Sequence, residues 1–174
     1  MDNIELFTDI AKQAVDRYDL QIQDMCFLAE ETNILYKLRD EKGNKFLLKI
    51  FQENSSTLID NLLEVHVINL VSLRGGISIP SILSSKDGSK IQEVIIDEGS
   101  PPKRVAIYSW LEGEDLDGNE NEERFIQLGE LTARLHEATY GEKVPETLSP
   151  ARWDKVFYYP EDKVVYKASE YQRY

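Results

Sequence analysis

The strongest constraint in this sequence is a lysine inside what is otherwise an apolar strand. Residues Lys45 to Phe51 read KFLLKIF, and Phe46, Leu48 and Ile50 alternate with Leu47, Lys49 and Phe51. Apolar residues on both alternating sets mark a strand covered on both faces. An unpaired ammonium buried there is costly or is forced neutral, so Lys49 needs a fixed anion. Glu64, inside an amphipathic helix on the next segment, is the candidate. Two readings stand at this point. Either Lys49 pairs with Glu64 in the interior, or it snorkels from an edge strand while Glu64 sits solvated on a helix face.

The surrounding pattern supplies the elements. A helix is expected over 3–18, with Asn3 as cap and Ile4, Phe7, Ile10, Ala11, Ala14 and Val15 at helical spacing. Strands follow over 20–30 and 33–40, with Glu30-Glu31-Thr32 at the bend. Glu41-Lys42-Gly43-Asn44 turns the chain into the Lys49 strand, giving an antiparallel meander. Ser55 or Ser56 is expected to start the next helix, which carries Leu58, Leu62, Val65, Ile68 or Asn69, and Ser72 along one stripe and stops at Gly75-Gly76. Short strands are expected at Pro80–Ser84, Ile91–Ile96 and Arg104–Leu111, with Lys86-Asp87-Gly88-Ser89 as a turn. Together these make an α+β lobe with an antiparallel sheet of about five strands and one inserted helix.

A break comes at Glu112-Gly113, and seven of the twelve residues from Glu112 to Glu123 are acidic. A helix over 121–138 follows, its expected buried face being Phe125, Leu128, Leu131 or Thr132, and Leu135. Gly129 in its middle lowers helix propensity, which suggests a second backbone passing close by. After Thr139 the chain, with Trp153 and many tyrosines, shows no period.

Composition narrows the partners. A net charge of −12 argues against a general nucleic-acid binder or a binder of anionic membranes, both of which need basic surface. It leaves room for a small phosphate pocket. The single cysteine, Cys26, rules out an internal disulfide, fits a reducing compartment, and reads as a packed thiol among Met25, Phe27 and Leu28. No basic leader and no long apolar stretch is present, so a cytoplasmic location is expected.

The order helix, two strands, Lys49 strand, Glu64 helix, GISIPSIL, the Asp87-Gly88 turn, VAIYSWLEGEDL and LGELTARLHEA resembles the aminoglycoside phosphotransferase and choline kinase superfamily, with its protein-kinase-like fold. The likeness covers about residues 20–140, with ARWD at 151–154 as a further echo. It implies that Lys49 contacts the α- and β-phosphates of ATP and that Glu64 holds it. It makes Glu31-Thr32-Asn33 the loop over the phosphates, although that turn contains no glycine. It makes Ser109, Trp110, Leu111 and Glu112 the hinge that offers backbone groups to adenine, with Gly113 at the exit. Tyr108 and Trp110 also have a plainer reading as core residues.

Other candidates carry less. Asp115 and Asp117 come too early for the family's metal-binding aspartates. DLDGNENEE has the composition of a calcium loop but not its order. His136 matches a structural leucine–histidine pair, and His66 reads as packed or half-exposed. The family's catalytic loop, histidine-glycine-aspartate with a following asparagine, is expected some tens of residues after LHEA and does not occur before Tyr174.

The expectation is therefore a kinase-like nucleotide-binding lobe over 1–112 and the first part of a truncated helical lobe over 113–174. By resemblance it belongs to an ATP-dependent phosphotransferase acting on a hydroxyl of a small molecule such as an aminoglycoside or amino alcohol. Mg2+ is expected in the family, and the chain is expected to be inactive alone. The expected partners are nucleotide, a small-molecule acceptor, and either a separate chain carrying the rest of the second lobe or a second copy. Two alternatives are a non-catalytic nucleotide-binding or regulatory module and an interaction lobe with no ligand.

Overall fold

A computed structural model describes residues 3–53, 55–96, 99–114 and 116–148, with the Asn3 side chain excepted. The Asn3 cap, Asp115, the ARWD segment, Trp153 and the tyrosine-rich stretch lie outside the described residues. The elements are α1 (Asn3–Val15), β1 (Ile22–Glu30), β2 (Asn33–Asp40), β3 (Lys45–Phe51), α2 (Leu58–Arg74), β4 (Gln92–Val94), β5 (Lys103–Ser109) and α3 (Glu122–Thr139), then a short 3-10 turn at Glu146–Leu148. The five strands form one antiparallel sheet in the order β1-β2-β3-β5-β4. This is the α+β, kinase-like lobe expected from the sequence.

Both faces of the sheet are covered, as the β3 pattern requires. On one face Ile10, Ala11, Ala14 and Tyr18 pack on Ile34, Tyr36, Leu38, Leu48, Ile50, Val94, Val105 and Ile107. On the other, Phe51, Ile82, Ala106 and Tyr108 gather Leu47, Val65, Ile68 and Ile91. The tight turn between β2 and β3 is held by Asp40, which accepts from the Lys42 and Asn44 amides and from the Asn44 side chain. Gly43, at φ 83°, takes the left-handed position that this turn needs. The β1 edge is irregular, with register shifts between Ile22 and Asp24 and between Phe27 and Ala29.

Several expected boundaries move. α1 stops at Val15, three residues before the expected end at 18. α2 is capped by Thr57, because only there does an acidic residue, Asp60, sit three positions on and close a capping box. Ser55 instead bonds the Thr32 carbonyl oxygen at 2.6 Å. The expected strand at Pro80–Ser84 reduces to a bridge between Ile82 and Tyr108, flanked by bonds from Leu83 to Ile107 and from Ser109 to Ser81. The expected strand Ile91–Ile96 shortens to β4, Gln92–Val94, and the chain before it is tied into a polar knot. Asp87 there accepts from the Ser85 hydroxyl, the Ser89 amide and the Gln92 side chain, and these hold its carboxyl well below the usual range.

The side-chain expectations also change. The inward line of α2 runs through Asn61, Val65, Ile68 and Val71, while Leu58 and Leu62 stand exposed. Cys26 is exposed, not packed. The β1–β2 register sets it opposite Lys37, on the sheet face away from α1. On α3 the apolar face marked by its periodicity is open, as expected where the helices it would pack on do not follow: Phe125, Leu128, Leu131 and Leu135 are all exposed, and only Ala138 is buried. Nothing lies within 4 Å of a Cβ built on Gly129, so no backbone passes close there among the described residues. His136, expected to pack, is also exposed.

Candidate functional site

The register of the sheet builds the site. Lys49 on β3 lies between Leu35 on β2 and Ala106 on β5. Side chains alternate across a strand, so Leu47, Lys49 and Phe51 share a face with Ala106 and Tyr108. That face is the one α2 covers. Ala106, fully buried, has only a methyl group there, which leaves room for the lysine beside it.

Lys49 is paired in the interior. Its Nζ donates to Glu64 Oε1 at 2.9 Å and to Oε2 at 2.8 Å. The side chains keep 17% and 32% of their exposure, so the pair is neither solvated nor sealed off. This rules out the snorkelling alternative. Two of the three ammonium hydrogens are engaged, and one is left for an incoming acceptor. The ammonium also lies 4.7 Å from the Phe51 ring centroid and 5.7 Å from that of Tyr108.

Tyr108 completes the arrangement, and its part was not read from the sequence. Its side chain is buried, as a core residue would be, yet its hydroxyl donates to Glu64 Oε1 at 2.8 Å. Burial, followed by the charge of Glu64, pushes the hydroxyl well above its ordinary value of 10.0. The tyrosine therefore stays a donor at neutral pH and orients the carboxylate that holds Lys49.

The remaining expected residues are placed less simply. Asn33 lies opposite Phe51, one rung of the same face beyond Lys49. In the turn before it, the Glu31 amide donates to the Asn33 carbonyl oxygen at 3.0 Å. The Asn33 amide group donates to Thr32 Oγ1 at 3.3 Å, while its buried Oδ1 has no partner among the described residues. No non-glycine residue in this turn has a positive φ among the described residues.

At the other end of the site, the Ser109 amide is spent on Ser81 at 2.8 Å, and Ser109 Oγ accepts from the Ser81 amide. That amide is thus not open to a base, and Trp110 and Leu111 are the first residues past the β3–β5 ladder. Trp110 is half-buried with Lys37 Nζ 4.5 Å above its ring, and Leu111 is exposed. Glu112 is bonded to Lys45, which, followed more weakly by Trp110 and Lys37, draws its carboxyl below the ordinary range. Gly113 is not left-handed, so the exit from this segment does not require glycine for its backbone.

Among the described residues no group of three or more histidine, cysteine or acidic side chains is arranged to hold a metal ion. No helix there is long and apolar enough to cross a membrane. The site can present one ammonium to an anion; it has no described acidic cage for a cation.

The model of a phosphotransferase enzyme family matches residues 27–173. Among solved structures the fold is similar to an amicoumacin kinase in complex with AMP-PNP, Ca2+ and Ami. The identity is 26% and the TM-score 0.73, over 84% of this chain and 44% of that one. It is also similar in fold to a microcompartment-associated aminopropanol kinase, at 22% identity and TM-score 0.70, over 84% of this chain and 45% of that one. The chain spans less than half the length of either. No curated protein matches it.

Proposed function

The chain belongs to the phosphotransferase enzyme family, and we propose that it is the nucleotide-binding part of an ATP-dependent kinase acting on a hydroxyl of a small molecule. The observation that carries this reading is Lys49, held by both oxygens of Glu64 and braced by Tyr108, with one ammonium hydrogen unspent. In this reading that hydrogen meets the α- and β-phosphates, while Thr32 and Asn33 border the phosphates and the Trp110–Leu111 backbone borders the base. Residues 1–112 form the nucleotide lobe, and 113–174 begin the lobe that receives the acceptor. An acceptor of the aminoglycoside or amino-alcohol class and a cytoplasmic setting belong to the same proposal.

A divalent ion accompanies the nucleotide analogue in the amicoumacin kinase complex, which supports metal-assisted binding in the family. When bound, such an ion would offset phosphate charge. No described residue of this chain is arranged to hold it. Neither histidine, His66 or His136, precedes a glycine and aspartate. The 174-residue chain alone therefore binds nucleotide weakly and does not transfer phosphate. A second reading, a non-catalytic nucleotide-binding partner for another chain, is favoured by the open apolar face of α3.

Calorimetric titration with ATP and Mg2+ tests the first reading. Weak binding should fall about tenfold or more in Lys49→Ala, the scale of a lost charge-assisted hydrogen bond. Labelled ATP with aminoglycosides, choline and amino alcohols should give no product until a polypeptide containing the histidine-glycine-aspartate loop is added. Turnover by the chain alone that vanishes in Lys49→Ala would show that the catalytic groups lie elsewhere.

A further inference from the structure

We infer that Arg104 is a positioning residue that fastens the first turn of α2 to β5 and so keeps Glu64 in register with Lys49. Arg104 is buried, an unusual place for a guanidinium. Its Nη1 donates to Asn61 Oδ1 at 2.6 Å and its Nη2 to the Ser56 carbonyl oxygen at 2.5 Å. Asn61, also buried, donates back to Ser56 Oγ at 3.1 Å. Among the described residues the partners of this cation are thus an amide oxygen and a peptide oxygen.

The geometry gives the contact its effect. Ser56 precedes the helix cap and Asn61 lies in the first turn, so the planar guanidinium grips the start of α2 from both sides. Glu64 follows Asn61 by three residues and shares its helix face. Tyr108 follows Arg104 by four residues and shares its strand face. The helix is therefore pinned to β5 at two places, Arg104 with Asn61 and Tyr108 with Glu64, and Lys49 reaches Glu64 beside Ala106 between them. A helix turns about 100° per residue, so even a partial rotation of α2 swings Glu64 off the lysine. Of these two pins, the Arg104 contact is the one that resists rotation without using the carboxylate that Lys49 needs.

The consequence for nucleotide binding rests on the proposed function, but the fastening does not, and the two are separable. Acylation of lysines on the purified chain, read by peptide mass mapping without nucleotide, reports whether Lys49 is held. The reagent needs a free amine, and an ammonium bonded to two carboxylate oxygens reacts slowly. Glu64→Gln sets the rate for a released Lys49. Lys90, half-buried and bonded to the Ile82 carbonyl oxygen, is the internal reference for an intact fold.

Arg104→Met and Asn61→Leu should each raise Lys49 acylation about tenfold toward the Glu64→Gln rate, with Lys90 unchanged. Asn61→Asp, which keeps the acceptor oxygen, should keep wild-type protection. Lys49 protection unchanged in both Arg104→Met and Asn61→Leu, loss of protection in Asn61→Asp, or a parallel rise at Lys90 overturns the inference. If Arg104→Met does not fold, Asn61→Leu decides alone. ATP affinity in the same variants should fall with Lys49 protection. The expected acylation pattern with no ATP binding in any variant, wild type included, upholds the fastening and overturns the nucleotide reading.

Discussion

Tyr108 and Lys49 meet on a single atom: the hydroxyl and the ammonium both donate to Glu64 Oε1, at 2.8 Å and 2.9 Å. The carboxylate is thus fixed by a neutral donor from β5 as well as by its ion-pair partner from β3. Tyr108→Phe removes that donor and leaves the ring in place. It should lower stability by about 2 kcal/mol, the scale of a hydrogen bond to a charged group, and weaken ATP binding several-fold. Urea unfolding and calorimetry measure the two effects.

Alkaline pH should destabilise the fold through its buried tyrosines. Burial raises the Tyr18 hydroxyl from 10.0 to about 12, and Tyr108 is raised further for the reasons given above. Above the ordinary value the unfolded chain releases these protons while the folded chain keeps them. Stability conferred by the neutral hydroxyls is therefore full below pH 10 and declines as pH rises through the folded values. The decline is up to about 1.4 kcal/mol per pH unit for each tyrosine. Urea midpoints followed from pH 10 to 12 should fall steeply, and Tyr18→Phe should flatten the slope.

Much of the lobe was legible because the key residues broke a pattern. Lys49 stands out in an apolar strand, and its need for an anion pointed to Glu64 before any contact was known. The Arg104–Asn61 contact stayed hidden because each residue, taken alone, reads as an ordinary polar position; only the register and the helix phase bring them together. Three adjacent hydroxyl residues could each have capped α2, and the signal that separates them is Asp60, three positions after Thr57 and after neither serine. On α3 the periodicity showed an apolar face correctly but carried no information about what covers it.

Gly129 gives a direct check on that helix. A Cβ at this position meets nothing within 4 Å, and the residue sits in an exposed helix interior. Gly129→Ala should therefore raise stability by about 1 kcal/mol through helix propensity alone. A loss of stability, read by thermal or urea unfolding, would mean that another segment packs against the glycine after all.

The open side of α3 should make the isolated chain self-associate. Phe125, Leu128, Leu131 and Leu135 are 54%, 47%, 48% and 39% exposed, and contiguous apolar surface of this kind drives association. Sedimentation velocity should show concentration-dependent species larger than the monomer, diminished in Phe125→Glu and Leu128→Lys. A clean monomer for the wild type at high concentration would count heavily against it.

The borders of the sheet limit what such association can become. β1, at one margin, is interrupted by two register shifts, and β4, at the other, spans only Gln92–Val94. Neither offers the long flat row of free peptide groups that recruits strand after strand into a fibre. Copies that meet through a helix face use the same patch on each side, and such contacts close on themselves. Crowded molecules of this chain should therefore gather into bounded oligomers that dissolve on dilution, not into amyloid.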